Sequence, residues 1–536
     1  MARTPSFDLL RRAARLFRSA ERAGEPVREH AERLRAQYLA ARLDRRAFLR
    51  ATGGAAAFAA FPLALSGCES GGGARVGIVG AGLAGLHCAH RLIAAGVDTR
   101  VFEAWNRTGG RTFTARGMLA GDQLVELGGE LIDSGHETMR ALAEELELTL
   151  DDLAEPSGVR AETFYFGGSV LSEADVIEAF ETVAPALATA FTAAEEDDAE
   201  FERLDNLSIP EFLESSGASD LIQRILEVAY VGEYGLEADE QSILNVVYLI
   251  DAETTDPFRI FGDSDERYHL HEGSEAIAQA LTARHASHIE LEHRLVAIRR
   301  AGERIRLTFD VAGGGSVDED FDHVVLTLPF TQLRTVAIEE GLFPEDKLEV
   351  IRELAYGTNA KLMMQFERKP WREDHSAGGA GFADNGTETF WETSRGQAGT
   401  QGILTHYTGG RAGVMLSTGT PVERAQAVLP AFDAIFPGTQ AAFNGMAVRM
   451  HWPSAPFHGG SYVCYRPGQW AYYGLEGRRE GRVHFAGEHT SLEFQGYMEG
   501  AAETGARAAM DILVDLGLAT GAPLVRAPSR RRAWLR

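Results

Sequence analysis

The chain has 536 residues, 45% of them hydrophobic and 24% charged, a composition that excludes fold-level disorder and leaves ample length for a large core. Its formal charge of −26 is unevenly spread: residues 1–67 hold 13 Arg against 6 Asp or Glu, a net of +7, so the remainder carries −33. A body that acidic repels phosphate backbones, which argues against a nucleic-acid partner and favours cationic ligands, although solubility or adaptation to salt would account for the same charge.

The first element in chain order is a helix-like segment, Ser6–Leu43, rich in Arg, Ala and Leu, for which the sequence offers no role. DRRAFLRATGG follows at Asp44–Gly54, overlapping an apolar run, Ala51–Leu65, of 15 residues. That run is shorter than the roughly 20 residues of a membrane-spanning helix and fits the core of a signal peptide. With Arg45 and Arg46 in front, it resembles a twin-arginine export signal, an address for proteins that leave the cytoplasm already folded. LSGC at Leu65–Cys68 resembles a bacterial lipoprotein cleavage box and would place a lipid on Cys68; an ordinary cleavage site or a chance cysteine is the alternative. The three cysteines, Cys68, Cys88 and Cys464, are too few and scattered for a disulfide framework or a zinc site, so no metal is invoked.

Gly71–Gly73 reads as a flexible link, and enzyme-like composition begins at Ala74. Arg75–Val79 predicts a strand, Leu83–Ala95 a helix and Thr99–Glu103 a second strand. Asp133–Ile250 reads as mostly helical, with acidic solvated faces. Strand patterns return at His288–Ile298, Ile305–Phe309, His323–Leu328 and Ala360–Phe366, and the last helix is Gly500–Leu516.

Between the first strand and helix stands GAGLAG, with Gly80, Ala81, Gly82 and Gly85. The first glycine permits a tight turn, the second lets backbone approach a pyrophosphate, and the third allows close helix–strand packing, while the helix N-terminus offers free N–H groups to phosphate. Glu103 ends the next strand 18 residues beyond Gly85, where a carboxylate can accept from a ribose diol. NRTGGRT at Asn106–Thr112 adds a second glycine turn, with Gly110 and Arg111 suited to a diphosphate. LVELGGELID at Leu124–Asp133 provides backbone at Gly128 and Gly129 that can lie flat against a ring. Far along the chain, Val483–Ala509 supplies a strand, the Gly487-Glu488 pair and a helix entered at Tyr497-Met498-Glu499-Gly500, whose positive dipole end could meet a flavin carbonyl.

These separated motifs, in this order from about Arg75 to Leu516, resemble the flavin-containing amine oxidase family, whose members include monoamine oxidases, polyamine oxidases and L-amino-acid oxidases. The resemblance implies an α/β fold: a Rossmann-like FAD-binding domain of the glutathione-reductase type, with a split α+β substrate domain as in monoamine oxidase. Its expected division is an export segment at 1–67, FAD-binding parts at 74–132, 258–328 and 458–518, a helical insert at 133–257, a substrate sheet at 329–457 and a basic tail at 519–536. Gly80, Gly82, Gly85, Glu103 and Arg111 match the family's dinucleotide segment, and Gly129, Glu130 and Leu131 match the stretch beside the isoalloxazine. Val296 fits the valine whose backbone holds the adenine, Glu488 the ribityl-diphosphate contact, and Met498 the pyrimidine edge. Lys361, in YGTNAKLMMQF, fits the lysine that holds a water near flavin N5, where its charge would favour developing superoxide.

HGGSY at His458–Tyr462 has Ser461 where some members carry a cysteine bonded to the flavin, so FAD is expected to be noncovalent; Cys464, three residues on along a strand, should face the other way. Tyr462 and Tyr497 occupy the positions of the monoamine oxidases' aromatic pair, able to exclude water and tolerate a cation. The implied reaction takes a primary or secondary amine to an imine, hydrolysed to aldehyde and ammonia or amine, with O2 reduced to H2O2. An L-amino-acid oxidase is the nearest alternative. It needs a cation for the substrate carboxylate; Glu130 and Leu131 stand where some members have a basic residue, and Arg395 is a candidate from elsewhere. A dehydrogenase or desaturase of a lipid-like substrate, and a noncatalytic exported flavoprotein, are the remaining readings.

Overall fold

The computed structural model describes residues 73–252 and 258–519. The expectations for the Arg45-Arg46 pair, the Cys68 box and the tail from 520 onward lie outside the described residues.

Five short strands build a parallel sheet in the order Val483–Phe485, His323–Leu326, Arg75–Val79, Asp98–Phe102, Ile289–Glu290. Its central strand, RVGIV, is buried almost throughout, as a strand covered on both faces must be. The crossover from Arg75–Val79 to its neighbour is the helix Leu83–Ala94, whose LAGLHCAHRL face is buried. Against it lies the helix Met498–Asp515. The two backbones meet at Gly505, where a Cβ would stand 2.2 Å from the Ala84 carbonyl oxygen, so only glycine permits this approach.

A four-stranded sheet, Ser316–Phe321, Arg304–Val311, His293–Ala301 and Ala337–Ile338, lies in the chain between strands of the parallel sheet. A seven-stranded mixed sheet runs Phe443–His451, Ala360–Phe366, Gly402–Thr408, Glu388–Glu392, Ala377–Ala383, Arg160–Phe166, Ser169–Val170. Ala360–Phe366 is its most protected strand, buried at all seven positions. The stretch read as mostly helical holds seven α-helices, from Glu137–Glu145 to Leu244–Leu249, but also contains the strand Arg160–Phe166, whose RAETFYF alternation the acidic flanks obscured. That strand pairs in parallel with Ala377–Ala383, more than 200 residues later, so no local pattern announces it.

The strands of the parallel sheet end at one edge, and there Gly80, Glu103, Thr327 and Gly487 meet. Open α/β sheets hold their ligands at such carboxyl ends.

Candidate active site

One cavity of about 340 Å³ runs from that edge to the mixed sheet. At its dinucleotide end the backbone makes the wall. Gly80 has φ of 103°, and a Cβ there would come 2.3 Å from the Thr327 hydroxyl; one on Gly85 would stand 2.0 Å from the Gly80 carbonyl oxygen. Gly82 opens the helix Leu83–Ala94 with no side-chain cap, which leaves first-turn N–H groups for an anionic ligand. The carboxylate of Glu103 accepts from the Ala81 N–H at 2.7 Å and the Trp105 N–H at 2.8 Å. Burial raises its pKa, partly offset by these donors. Glu103 thus pins the glycine turn and keeps a second lone pair on each oxygen for a diol.

Around this turn, Gly109 N–H donates to the Ala81 carbonyl at 2.8 Å, and Gly110 packs on Gly82. Arg111 bonds the Glu488 carboxylate at 2.9 Å and the Ser461 carbonyl, while the other Glu488 oxygen accepts from Gly496 N–H at 2.9 Å. Gly487, with φ of 126°, lines the same wall. Arg107, which sequence reasoning passed over, lies over the rings of Trp105 (4.5 Å) and Phe113 (3.8 Å) and pairs with Glu275 at 3.3 Å. Val296 does not line the cavity. It sits at a β-bulge between Leu295 and Ala297, and the wall there is His293, Arg294 and Leu295.

The middle of the cavity is flat because two glycines admit no side chain: a Cβ on Gly128 would stand 1.7 Å from the Arg111 carbonyl oxygen, and one on Gly129 2.7 Å from Met498 Cγ. Leu131 continues the wall. The helix beginning at Met498 also lacks a side-chain cap. Lys361 reaches this floor from the strand Ala360–Phe366. Its ammonium donates to the Gly128 carbonyl at 2.8 Å, to Glu130 Oε2 at 2.9 Å and, more weakly, to the Glu126 carbonyl at 3.3 Å. All three protons are engaged, so a water bound to Lys361 would have to displace the longest of these contacts. Glu130, read as a wall residue, is the counter-ion of Lys361 and also accepts from the Thr393 hydroxyl at 2.9 Å. Burial pushes the Glu130 carboxyl up, but Lys361 and His269 outweigh it and hold the pKa below its usual value.

The far end is made of side chains. Tyr462 and Tyr497 both line it. The Tyr462 hydroxyl meets that of Tyr407 at 2.8 Å and donates to the Glu233 carbonyl; the Tyr497 hydroxyl donates to the Glu233 carboxylate at 3.2 Å. Trp391, 5.1 Å from the Lys361 ammonium, and Tyr407 complete an aromatic box. Glu233 ends the helix Asp220–Tyr234, stopped by Gly235 in the left-handed conformation. Its pKa is raised by burial to about 7. Glu266 and Glu162 line the same end. Both residues are exposed, yet the protein around them raises the pKa of each, Glu266 to about 8 with help from the charges of Asp133 and Glu233 and against that of Arg395. These carboxylates, with Tyr407 and Trp391, were missed by sequence reasoning. Each lies in an acidic or strand segment that resembles ordinary surface, and the only signal was the charge of the whole body.

Arg395 does not line the cavity; it contacts the Glu392 carbonyl and stands 4.0 Å from Glu155. Cys464 is not on a strand beyond a single bridge at Val463; it is buried 3.7 Å from the Asn245 amide, away from the cavity. Ser461 is held by Asn359. Among the described residues no cysteine lines the cavity.

A glycine cradle with open helix N-termini, a side-chain-free floor and a carboxylate beside the second strand are what an FAD dinucleotide and its flat ring require. The profile of flavin-containing amine oxidoreductases matches residues 83–513. The chain is 26% identical over 461 residues to an L-amino-acid oxidase of Siganus canaliculatus, covering 81% of this chain and 84% of that one. In fold it resembles cyclohexylamine oxidase from Brevibacterium oxydans (TM-score 0.73, 21% identity, 83% of this chain and 100% of that one). It also resembles putrescine oxidase (TM-score 0.71, 18% identity, 82% and 99%). Glycine cradle, flat floor and family match converge: the chain belongs to the flavin-containing amine oxidoreductases and is an FAD-dependent enzyme acting on CH–NH groups.

Proposed function

We propose that the enzyme oxidises a cationic amine, best one carrying a second positive charge, with O2 as electron acceptor: the amine, O2 and water give an aldehyde, ammonia or a smaller amine, and H2O2. One observation carries this reading. The substrate end of the cavity presents the carboxyls of Glu162, Glu233 and Glu266, while the lining cation Lys361 is already paired with Glu130 and Arg395 acts on Glu266 only from outside the lining.

The glycine cradle and the floor at Gly128 and Gly129 would hold FAD noncovalently, and the cofactor would supply the two-electron acceptor for a hydride equivalent from the substrate's α-carbon. The protein's part is to hold and desolvate. Tyr407, Tyr462, Tyr497 and Trp391 enclose the reacting carbon and shut out water, and their ring faces accept a cation. Glu233, with a pKa of about 7 and a hydroxyl donor from Tyr497, can take the proton that the substrate ammonium must lose before its lone pair assists C–H cleavage. Glu266 and Glu162 would hold the second ammonium.

The likeness to an L-amino-acid oxidase favours the other reading, but a substrate carboxylate would meet these acidic groups, and Arg395, whose charge acts on Glu266, is not among the lining residues. Peroxide release by the purified yellow protein from diamines, monoamines and L-amino acids side by side tests the proposal; a preference for L-amino acids would overturn it.

We further propose export by the twin-arginine route with FAD already inside, followed by lipid attachment at Cys68. A noncovalent dinucleotide must be captured during folding, and an exporter of folded proteins preserves it. Mass analysis of membrane-extracted protein would show the lipid and the loss of residues 1–67; a soluble, full-length chain would contradict it.

A further inference from the structure

At the edge of the parallel sheet opposite the cavity, three side chains from distant parts of the sequence converge. His323 opens the strand His323–Leu326, His484 is the middle residue of the adjacent strand Val483–Phe485, and Asp515 is the last residue of the helix Met498–Asp515. Parallel pairing of Val324 with Val483 and Val325 with His484 brings the two imidazoles together. His323 Nδ1 and His484 Nε2 are 3.3 Å apart, Asp515 Oδ2 is 4.0 Å from His323 Nδ1, and the three ligand atoms lie within 4.8 Å of one another.

We infer that His323, His484 and Asp515 form a binding site for a divalent transition-metal ion such as Zn2+. Zinc takes imidazole nitrogens at about 2.0–2.1 Å, so tetrahedral geometry sets two ligand nitrogens about 3.3 Å apart, the separation found here. Both rings are buried, His323 at 5% and His484 at 2% exposure. Asp515 is exposed at the helix end and can close the remaining distance, leaving a fourth position for water.

The groups facing the site set the terms. Arg479 bonds Asp515 Oδ2 at 2.6 Å, and Arg482, Arg507 and Asp322 add their charges. The Arg479 pair is a half-exposed surface pair of small worth, and Asp515 has a second oxygen for a metal. Because the strand His323–Leu326 is followed by Thr327 on the cavity wall, about 13 Å of strand separates the metal from the dinucleotide end of the cavity. The ion would clip the last segment of the fold to the sheet without entering the reaction. Cysteine counting could not see this, since the two histidines are 161 residues apart.

The test is titration of chelator-treated, FAD-loaded enzyme with Zn2+ by calorimetry, with Co2+ absorption as the reporter of geometry. One equivalent should bind, and Tm should rise by several degrees at about 100 times Kd. Asp515→Asn and His323→Gln should each weaken binding at least ~10-fold and abolish the Tm rise, leaving peroxide turnover unchanged. Arg479→Ala should tighten binding by freeing Asp515 and removing a repelling charge. Uptake that is unaltered in Asp515→Asn and in Arg479→Ala, or no uptake by the native enzyme, would overturn the site.

Discussion

The two ends of the cavity are built in opposite ways. At the dinucleotide end the wall is backbone: Gly80, Gly82, Gly85, Gly110 and Gly128 are there because a Cβ would collide with main chain or a neighbouring side chain, or fill the cradle. At the substrate end the wall is side chain: Tyr407, Tyr462, Tyr497, Trp391, Glu162, Glu233 and Glu266, drawn from seven separate segments. The first end is intolerant of change and indifferent to substrate. The second tolerates change and decides what the enzyme accepts.

The largest expected effect is at the rigid end. Gly85→Val places carbon against the Gly80 carbonyl and should yield colourless protein, read as loss of flavin absorbance and a fall in peroxide production of more than ~100-fold. Next is the junction of the two ends. Lys361→Met leaves Glu130 buried without its cation, a loss on the order of 3–5 kcal/mol in stability, visible as a drop in Tm. Lys361→Met with Glu130→Gln should recover most of that Tm but not the rate of reaction with O2, which separates packing from electrostatics.

A smaller and more selective change belongs to the substrate end. Glu266→Gln should raise KM for a diamine about 10-fold while leaving a monoamine of equal length within about 2-fold; equal losses for both would remove Glu266 from recognition.

The smallest effect is a pH dependence whose sign follows from burial. The carboxyl of Glu233 has a folded pKa of about 7 against an ordinary 4.5, and that of the more exposed Glu266 is raised in the same direction with a smaller share in stability, so above the ordinary value the folded state holds protons that the unfolded chain has released. Stability of substrate-free enzyme should therefore fall as pH rises from about 5 to 8, with Glu476 and Glu503, both near 7, contributing in the same direction. Over the same window kcat/KM for a diamine should rise as these groups ionise. A Tm that climbs with pH would contradict the burial argument.

The contrast also explains what could be read before folding. GAGLAG, Glu103, NRTGGRT and LGGEL are local spacings, and the turns they form are nearly complete within a few residues, so sequence alone placed them beside a dinucleotide. Lys361 was legible as a lysine in an apolar strand, yet its partner Glu130 was not, since the pair joins positions 231 residues apart. Glu233 and Glu266 were illegible for a related reason: one lies at the end of a helix and the other in the irregular segment before the strand Tyr268–Leu270, and only the tertiary fold brings them to one cavity. Val296 marks the limit from the other side. The segment lines the cavity, but a bulge hands the wall to Leu295 and Arg294.

The most direct measurement is the ratio of kcat/KM for an aliphatic diamine to that for the monoamine of equal length, followed by peroxide formation in FAD-loaded native enzyme. The acidic substrate end predicts a ratio of about 10 or more at pH 8, collapsing toward one in Glu266→Gln. A ratio near one in the native enzyme, or faster turnover of an L-amino acid than of either amine, would contradict it.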